Sequence, residues 1–363
     1  MRVLIVYASA GAGHRRAAEA VYDYLKANRP DLSLNMVDVL DRTNALFRFD
    51  YTVGYSFLVK YAVSLWRFAF WLTKFKIFRF ISSPIATFVN NINSLNFIRY
   101  LIRKNPDVII STHFLPADIA ALLKRNQKIK SKLITIITDF GVHPYWVAEG
   151  TDLYIAASDF TKERLLRERV SLDRIKVFGL PFHHKYLKEF NRKALAEKIG
   201  INPEKFTVML MTGSFGTGPL RKIARMLSYK TQVLAVCASN ERLRKRLLKD
   251  NLQNVKVFGF IDNTEELMAV SDCIVTKAGG STIAEVINMD LIPIFISVIP
   301  GQESDNVEAL KRMEVGFTPK NLSQLREIVL MLKNNPAKLE GMKERLEEIK
   351  KPLACQEISG VIR

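Results

Sequence analysis

Cysteine is scarce in this sequence. Only three occur among 363 residues, at positions 237, 273 and 355, and no two of them form a Cys-x-x-Cys pair. The five histidines are not clustered at the spacing of metal ligands. Neither a disulfide framework nor a zinc site is therefore indicated, and the cysteine usage fits a reducing cytoplasm.

Long apolar runs and a leader are also missing. Met1 and Arg2 lead directly into an apolar strand pattern, without the charged and apolar regions of a signal peptide. No uninterrupted apolar run approaches the roughly 18 residues that are needed to cross a bilayer. We expect the mature chain to start at Met1 and to contain no membrane-spanning helix.

Carboxylates are absent from residues 51–106, although the chain has 36 of them. This window holds eight Lys or Arg and 14 aromatic residues, in a chain of net charge +18. We predict that it lies in a membrane interface, with apolar side chains such as Trp66, Trp71 and Phe75 in lipid and basic ones toward anionic head groups. A basic insertion packed on the core and a surface for single-stranded nucleic acid are the alternatives. The many Leu, Ile and Val residues favour lipid, so no nucleic-acid partner is expected.

Short apolar, strand-like runs alternate with helical patterns in two series. The predicted strands are 3–7, 34–37, 108–111, 133–138, 153–156 and 176–178, then 207–211, 232–237, 255–258, 273–276 and 292–296. This alternation predicts an α/β fold with two Rossmann-like, doubly wound domains and a ligand cleft at the carboxyl edges of their strands. We place the boundary at Gly179-Leu180-Pro181, which gives an N-terminal domain 1–180 and a C-terminal domain 181–363 whose last helix could return to the first.

Very small residues join the first strand to the helix after it. Residues 9–14 read Ser-Ala-Gly-Ala-Gly-His, and the two glycines let the backbone turn sharply and approach a partner. The third glycine of a dinucleotide fingerprint is missing, because Arg15, Arg16 and Ala17 follow. His14 titrates near neutrality and is placed for proton transfer. A tight strand-to-helix turn without a ligand is the other interpretation.

Two more glycine-rich turns follow predicted strands of the second half. One contains Gly213, Gly216 and Gly218, and the other reads Thr-Lys-Ala-Gly-Gly-Ser-Thr-Ile-Ala-Glu over residues 276–285. Amides at a helix start bind phosphate, and a carboxylate one turn later can accept hydrogen bonds from a ribose diol. These turns predict a nucleoside-diphosphate site. The amides and carboxylates clustered in residues 299–306 suit sugar hydroxyls.

Six motifs occur in an order that is shared with a known family. They are the Gly-x-Gly-His turn, TDFGVHPYW (138–146), TGSFGTGP (212–219), VFGFIDN (257–263), KAGGSTIAE (277–285) and PGQESDN (300–306). Over nearly the whole chain they resemble the family 28 glycosyltransferases that make monogalactosyl- and glucosyl-diacylglycerol. The resemblance implies a GT-B fold and inverting transfer of a hexose from UDP-glucose or UDP-galactose to the 3-hydroxyl of diacylglycerol. Similar bacterial members use UDP-glucose and can extend their own product.

The resemblance also implies roles for individual residues. Those implied to bind the uracil, diphosphate, ribose and sugar of the donor are Gly13, Ser214, Phe260, Ile261, Gly279, Gly280, Ser281, Thr282, Glu285, Gln302, Glu303 and Asn306. His143 and Trp146 are implied on the side of the acceptor or of an anionic lipid. We expect a peripheral protein at the cytoplasmic face of the cell membrane, with the UDP-sugar, diacylglycerol and anionic lipids as partners.

One position departs from the plant-type galactosyl enzymes of the family. They have an aspartate, proposed as the catalytic base, where this chain has Ser9. The bacterial glucosyl branch also lacks it, which favours glucose and leaves His14, the first choice, or Asp139 as the base. The chain has no Asp-x-Asp pair, and helix-start amides can stabilise the leaving diphosphate, so no metal or other cofactor is expected. The alternatives are a polyprenyl-linked acceptor and a UDP-sugar sensor without turnover.

Overall fold

The computed structural model describes residues 1–54, 63–73, 76–213, 216–299 and 301–363. The chain forms two compact units. The first comprises Met1–His183, Ile299–Asn306 and Leu353–Arg363, and the second comprises His184–Val298 and Val307–Pro352. The sequence places the boundary at 180–181 and assigns residues 299–306 to the second domain, whereas the structure groups them with the first unit.

A six-stranded parallel sheet forms the centre of the first unit. Its strands are β1 (Arg2–Tyr7), β2 (Ser33–Asp38), β3 (Val108–Ser111), β4 (Lys132–Ile136), β5 (Leu153–Ala156) and β6 (Ile175–Val177). They lie in the order β2-β1-β3-β4-β5-β6. The order reverses between β1 and β3, so the loops after these two strands meet at a topological switch point.

Helices pack on both faces of this sheet. The helices in the first part of the chain are α1 (Ala12–Asn28), α2 (Ala45–Phe49), α3 (Val63–Leu72), α4 (Lys76–Asn93), α5 (Leu95–Lys104), α6 (Phe114–Arg125) and α7 (Asp159–Arg167). Alternate residues of β1 enter two separate cores. Leu4 and Val6 pack in a core with residues of α5 and α6, and Val3 and Ile5 pack in another with residues of α1. The sheet is therefore doubly wound.

Helix α1 begins earlier than the sequence predicts. The predicted turn runs through residue 14, but the helix starts at Ala12, so His14 lies in its first turn. Gly11 precedes the helix with a φ of 119°, a conformation that favours glycine. The glycine thus lets the chain change direction within four residues of β1.

Helix α4 turns its apolar side outward. Its exposed apolar side chains recur at helical spacing and form an outward apolar stripe, consisting of Ile85, Phe88, Val89 and Ile92. On the inner side, Thr87 Oγ1 donates to Asp118 Oδ2 of α6 at 3.2 Å. This arrangement reverses the usual one, in which the apolar face of a surface helix meets the core.

More large apolar side chains are exposed in the same part of the first unit: Leu46, Phe49, Val53, Phe68, Trp71, Leu95 and Ile102. An accumulation of this kind is typical of an interaction surface. Within the described ranges, no helix is long and apolar enough to span a membrane.

A five-stranded parallel sheet forms the centre of the second unit. Its strands are β7 (Thr207–Met211), β8 (Gln232–Val236), β9 (Val255–Phe258), β10 (Cys273–Thr276) and β11 (Ile292–Phe295), in the order β11-β10-β7-β8-β9. The order reverses between β7 and β10, which creates a second switch point. The helices that follow are α8 (Arg192–Ile199), α9 (Leu220–Leu227), α10 (Glu241–Asp250), α11 (Thr264–Ala269), α12 (Gly280–Asn288), α13 (Gln302–Arg312), α14 (Leu322–Asn334) and α15 (Pro336–Ile349).

The last helix, α16 (Ala354–Gly360), belongs to the first unit. Ile358 and Ile362 are fully buried in the core that also contains Val3 and Leu25. The predicted α/β class with two parallel sheets is confirmed, and each of the predicted strands lies within two residues of an observed one.

Candidate functional site

Three loops of the first unit meet at His14. Its Nδ1 lies 2.9 Å from the carbonyl oxygen of Thr112, which follows β3, and 2.8 Å from Thr138 Oγ1, which follows β4. Because a carbonyl oxygen only accepts, Nδ1 carries the proton. In the neutral ring Nε2 is then the nitrogen that can accept a proton, and it has no hydrogen bond to any residue of the described part.

Aromatic rings enclose His14. The ring of His113 packs edge-on against it, with centroids 4.5 Å apart, and the ring of Trp146 lies 6.0 Å away. Burial lowers the pKa of His14 to about 4, against the opposing effect of its hydrogen bond to Thr112. His14 is therefore neutral at neutral pH.

Trp146 requires a correction. The resemblance implies that it lies on the acceptor or lipid side, but its side chain is only 1% exposed and packs in a core with Ile137 and Tyr154. A ring buried this completely does not contact a membrane surface. Its ring lies 6.0 Å from that of His14, so the predicted place on the acceptor side stays a prediction.

His143 connects the loop after β4 to the end of α3. Its Nδ1 accepts from Tyr145 N at 3.3 Å, and its Nε2 lies 2.9 Å from Thr73 Oγ1. Trp71, two residues before Thr73, is 51% exposed. The predicted acceptor-side histidine therefore lies beside the predicted membrane-associating segment.

Asp139 is a buried carboxylate directly after Thr138. It is 9% exposed, and its Oδ1 accepts from Asn306 Nδ2 at 3.1 Å. Burial, with a smaller contribution from the charge of Asp305, raises the pKa of Asp139 to about 6 against the effect of that hydrogen bond. In the described part of the chain, Oδ2 accepts no hydrogen bond. Asp139 is thus a stronger base than an ordinary carboxylate and has one oxygen available.

The start of α13 lies against the same loop. Asn306 is completely buried, and its Oδ1 accepts from Phe140 N at 2.7 Å and Gly141 N at 3.3 Å. Gln302 and Glu303, in the first turn of α13, are partly buried, and Glu303 Oε2 accepts from Ile299 N at 2.8 Å. The donor-binding roles of these three residues stay predictions.

The second switch point consists mainly of backbone. Helix α12 starts at Gly280, four residues after the end of β10, and Gly279 is its N-cap. Among the described residues, a Cβ at Gly279 or at Gly213, in the loop after β7, would meet no atom within 4 Å. Ser281 and Glu285 are buried on α12, and Thr282 is partly buried. Peptide N–H groups at a helix start with open space before them suit a phosphate group.

Two other glycines at this point, Gly216 and Gly218, have positive φ values of 52° and 97°, which favour glycine, and Gly216 is also required by packing. A Cβ at Gly216 would lie 2.2 Å from the carbonyl oxygen of Cys237, and one at Gly218 would lie 3.3 Å from Ser297 Oγ. Asn240 Nδ2 donates to Gly216 O at 2.9 Å and fixes the loop. The motif therefore combines glycines that clear space for a ligand with glycines that allow close backbone packing.

The remaining predicted residues are scattered or not described. Phe260, after β9, is 68% exposed, and Ile261 and Gly13 are partly buried. Ser214 and Phe75 lie outside the described residues, and so does the side chain of Trp66. Among the residues that the structure describes, no group of three or more His, Cys, Asp or Glu could hold a metal ion.

The sequence did not point to Thr112, Thr138 or Asp38. The two threonines orient His14, and Asp38 Oδ1 accepts from Ser9 N at 3.3 Å and from Leu40 N at 2.9 Å. All three lie at or just after strand ends near the first switch point. A polar residue directly after a predicted parallel strand is the signal that could have found them.

Comparisons with known proteins agree with the motifs. The Monogalactosyldiacylglycerol (MGDG) synthase family model matches residues 14–182, and the Glycosyltransferase family 28 C-terminal domain model matches residues 207–356. The chain is 31% identical over 379 residues to monogalactosyldiacylglycerol synthase 3, chloroplastic, of Arabidopsis thaliana, which covers 98% of this chain and 79% of that protein. It is 26% identical over 374 residues to a processive diacylglycerol beta-glucosyltransferase of Bacillus cytotoxicus. This match covers 99% of this chain and 93% of that protein.

The fold is shared more widely. The crystal structure of MurG from Acinetobacter baumannii superposes with a TM-score of 0.62 at 14% identity, over 99% of each chain. At this identity the likeness concerns the fold alone, and it confirms the GT-B fold that the motifs imply. Together with the family matches, it shows that the chain belongs to the monogalactosyldiacylglycerol synthase family of glycosyltransferases.

Proposed function

We propose that this protein transfers a hexose, preferentially glucose, from a UDP-sugar to the 3-hydroxyl of diacylglycerol with inversion at the anomeric carbon. The names of both relatives include diacylglycerol. One is a monogalactosyldiacylglycerol synthase, and the other is a diacylglycerol beta-glucosyltransferase. The observation that carries the proposal is the convergence of His14, Thr138 and Asp139 at the carboxyl edge of the first sheet.

Asp139 is our choice for the base. The sequence alone favours His14, but burial gives His14 a pKa of about 4 and Asp139 a pKa of about 6. The group with the higher pKa is the stronger base, and a pKa near the working pH suits proton transfer. Asp139 takes the proton of the acceptor hydroxyl as its oxygen bonds to the anomeric carbon and the bond to UDP breaks. The hydroxyl has a single proton, and the unprotonated Nε2 of neutral His14 could accept it in place of Asp139, so His14 is the alternative base.

Helix α12 is our choice for the leaving group. The negative charge that develops on the diphosphate is stabilised by the peptide N–H groups of residues 280–282. Glu285 accepts from the ribose hydroxyls, Phe260 and Ile261 contact uracil, and Gln302 and Glu303 hold the sugar. We further propose that no metal takes part, since the peptide groups supply the electrostatic stabilisation.

The outward apolar stripe of α4 is proposed to enter a membrane. Its four apolar side chains are exposed, and the exposed Arg99 and Arg103 of α5 supply positive charge in the same segment. Such a surface inserts its apolar groups at the acyl boundary and attracts anionic head groups. We propose peripheral binding to the cytoplasmic leaflet, where diacylglycerol can enter from the lipid phase.

A transfer assay tests the reaction. The purified protein is incubated with labelled UDP-glucose or UDP-galactose and vesicles of phosphatidylcholine and phosphatidylglycerol that contain diacylglycerol, and the lipids are then separated by chromatography. We expect labelled glycolipid, formed faster from UDP-glucose. Binding of UDP-glucose without labelled lipid would support the sensor and overturn the enzyme. The pH profile separates the two bases: kcat/KM should fall below about pH 6 if Asp139 is the base, and only near pH 4 if His14 is.

Vesicle sedimentation tests the membrane surface. Phe88→Ser with Ile92→Ser should weaken binding to anionic vesicles about tenfold or more, because each buried apolar side chain contributes about 1.5–3 kcal/mol. The matched control is Leu166→Ser with Leu172→Ser, which removes two exposed leucines of the same unit outside the segment. Equal losses in both double variants would show that the stripe is not the contact surface.

A further inference from the structure

Asn306 connects the proposed base to the helix that carries the predicted sugar-binding residues. Its Nδ2 donates to Asp139 Oδ1, and its Oδ1 accepts from the next two backbone amides of the same loop. We propose that Asn306 is a positioning residue, which holds the carboxylate of Asp139 at a fixed place relative to Gln302 and Glu303. This inference rests on the proposed function of Asp139.

The contact between the loop and α13 is close. A Cβ on Gly141 would lie 2.4 Å from Cβ of Asp305. The backbone of the loop therefore approaches α13 so closely that only glycine fits at position 141. The φ of Gly141 is not in the left-handed region, so glycine is needed here for space and not for conformation. On the opposite side, Thr161 Oγ1 of α7 donates to Phe140 O at 2.8 Å.

The hydrogen bonds of Asn306 serve two purposes. Three bonds from one completely buried side chain fix both the backbone and the carboxylate of the loop. The bond from Nδ2 to Oδ1 leaves Oδ2 as the oxygen that can receive a proton. Because Gln302 and Asn306 are one turn apart on α13, a sugar held by Gln302 and a proton acceptor held by Asn306 are fixed by one rigid helix.

The charged surroundings of Asp139 make the proposal testable by pH. Within the described part of the chain, the charged group that acts on Asp139 is Asp305 on α13, and the neutral Asn306, Thr161 and His14 form hydrogen bonds with the loop. The hydrogen bond from Asn306 favours the ionised carboxylate and opposes the effects of burial and of Asp305. Loss of this hydrogen bond should therefore raise the pKa of Asp139 and, with it, the pH above which the enzyme becomes active.

The experiment measures kcat, KM for UDP-glucose and the pH profile for Asn306→Ala and Asn306→Asp. We expect kcat to fall about 10- to 100-fold, as for a misplaced catalytic group, with little change in KM. The acid limb of the kcat/KM profile should move to higher pH, most strongly in Asn306→Asp, which places a second carboxylate beside Asp139. A large rise in KM with an unmoved acid limb would make Asn306 a sugar ligand and overturn the proposal.

Two further variants keep the result interpretable if Asn306→Ala folds poorly. Gly141→Ala displaces the same loop from α13 and weakens its hydrogen bond to Asn306. Because this bond affects the pKa of Asp139 more than the charge of Asp305 does, the acid limb should again move to higher pH. Thr161→Val loosens the loop from the other side and should leave that limb unmoved; an equal shift there would make the effect a general loosening and overturn the proposal. Asp139→Asn separates the proposed base from the proposed positioning role. Full activity in Asp139→Asn would show that Asp139 is not the base. If Asp139→Asn loses activity but the acid limb of the pH profile does not move in Asn306→Asp, only the positioning role of Asn306 is overturned.

Discussion

The two switch points of this chain differ in what they present. At the first, the segments that follow β1, β3 and β4 supply titratable side chains, His14, His113 and Asp139, among threonine hydroxyls and aromatic rings. At the second, the loops after β7 and β10 supply glycines, two of which border open space. The same sheet topology therefore presents side chains in one unit and bare peptide groups in the other.

The difference matches two chemical tasks. Moving a proton needs a group whose pKa is set by its surroundings, and burial does this for both His14 and Asp139. Binding a diphosphate needs N–H groups that a ligand can approach, and in the proposed reaction a side chain at Gly279 would obstruct this approach. We therefore expect substitutions at the first point to change the rate and those at the second to change donor affinity.

The largest expected effect is on the rate at the first switch point. Asp139→Asn keeps the shape of the side chain but removes the proton acceptor, so kcat should fall about 10²- to 10⁴-fold. The Kd of UDP, measured by calorimetry, should stay near the wild-type value. A variant that loses UDP binding as well would break the proposed division of tasks.

The same substitution should stabilise the protein above pH 6. Because the pKa of Asp139 is raised in the folded state from 3.8 to about 6, the stability that the protonated carboxyl provides at low pH is lost as the pH rises through about 6. The amide that replaces the carboxyl carries no charge at any of these pH values. The advantage of Asp139→Asn should develop between about pH 4 and 6 and reach at most about 3 kcal/mol.

Thermal melting at pH 4 and pH 8 measures this difference. We expect equal melting temperatures at pH 4 and a higher one for the variant at pH 8. A variant that is less stable at pH 8 would show that the ionised carboxylate is better accommodated than its burial implies.

A smaller effect is expected for glycine at the second switch point. Gly279→Ala adds a methyl group where the protein itself leaves space, so the melting temperature should be unchanged while KM for the UDP-sugar rises about tenfold, or roughly 1.4 kcal/mol. The matched control is Gly341→Ala on α15, where a Cβ also meets no atom of the described residues within 4 Å. Gly216→Ala, which would overlap the Cys237 carbonyl, should instead lower the melting temperature. Equal KM values for Gly279→Ala and Gly341→Ala would show that the UDP-sugar does not bind beside Gly279.

The smallest expected effect is that of a chelator. If peptide N–H groups alone stabilise the leaving diphosphate, EDTA should leave the rate of transfer unchanged, and added Mg²⁺ or Mn²⁺ should not raise it. The measurement is the initial rate after dialysis against EDTA, with and without each ion. A rate that falls and is restored by one of them would make the second switch point a metal site.

Much of this was predictable from the sequence, because periodicity and apolar runs are local signals. The strands appear as short β-branched runs, and the glycine-rich turns follow directly from them. The start of α1 cannot be predicted in this way, because Gly11 and Gly13 weaken a helical pattern that the structure extends through His14.

The burial of Trp146 and the contacts of Asn306 could not be predicted, because both depend on residues far away in the chain. The pKa order of His14 and Asp139 has the same origin. It is set by burial among side chains that are brought together only by the fold, including Asn306, which follows Asp139 by 167 positions.

The return of α16 to the first unit affects how this chain folds during synthesis. Ile358 and Ile362 complete a core whose other members, such as Val3 and Leu25, leave the ribosome more than three hundred residues earlier. A fully buried isoleucine contributes about 1.5–3 kcal/mol, so the amino-terminal unit remains incomplete until α16 has been synthesised. A nascent fragment ending at residue 183 would therefore leave apolar surface for chaperones to cover.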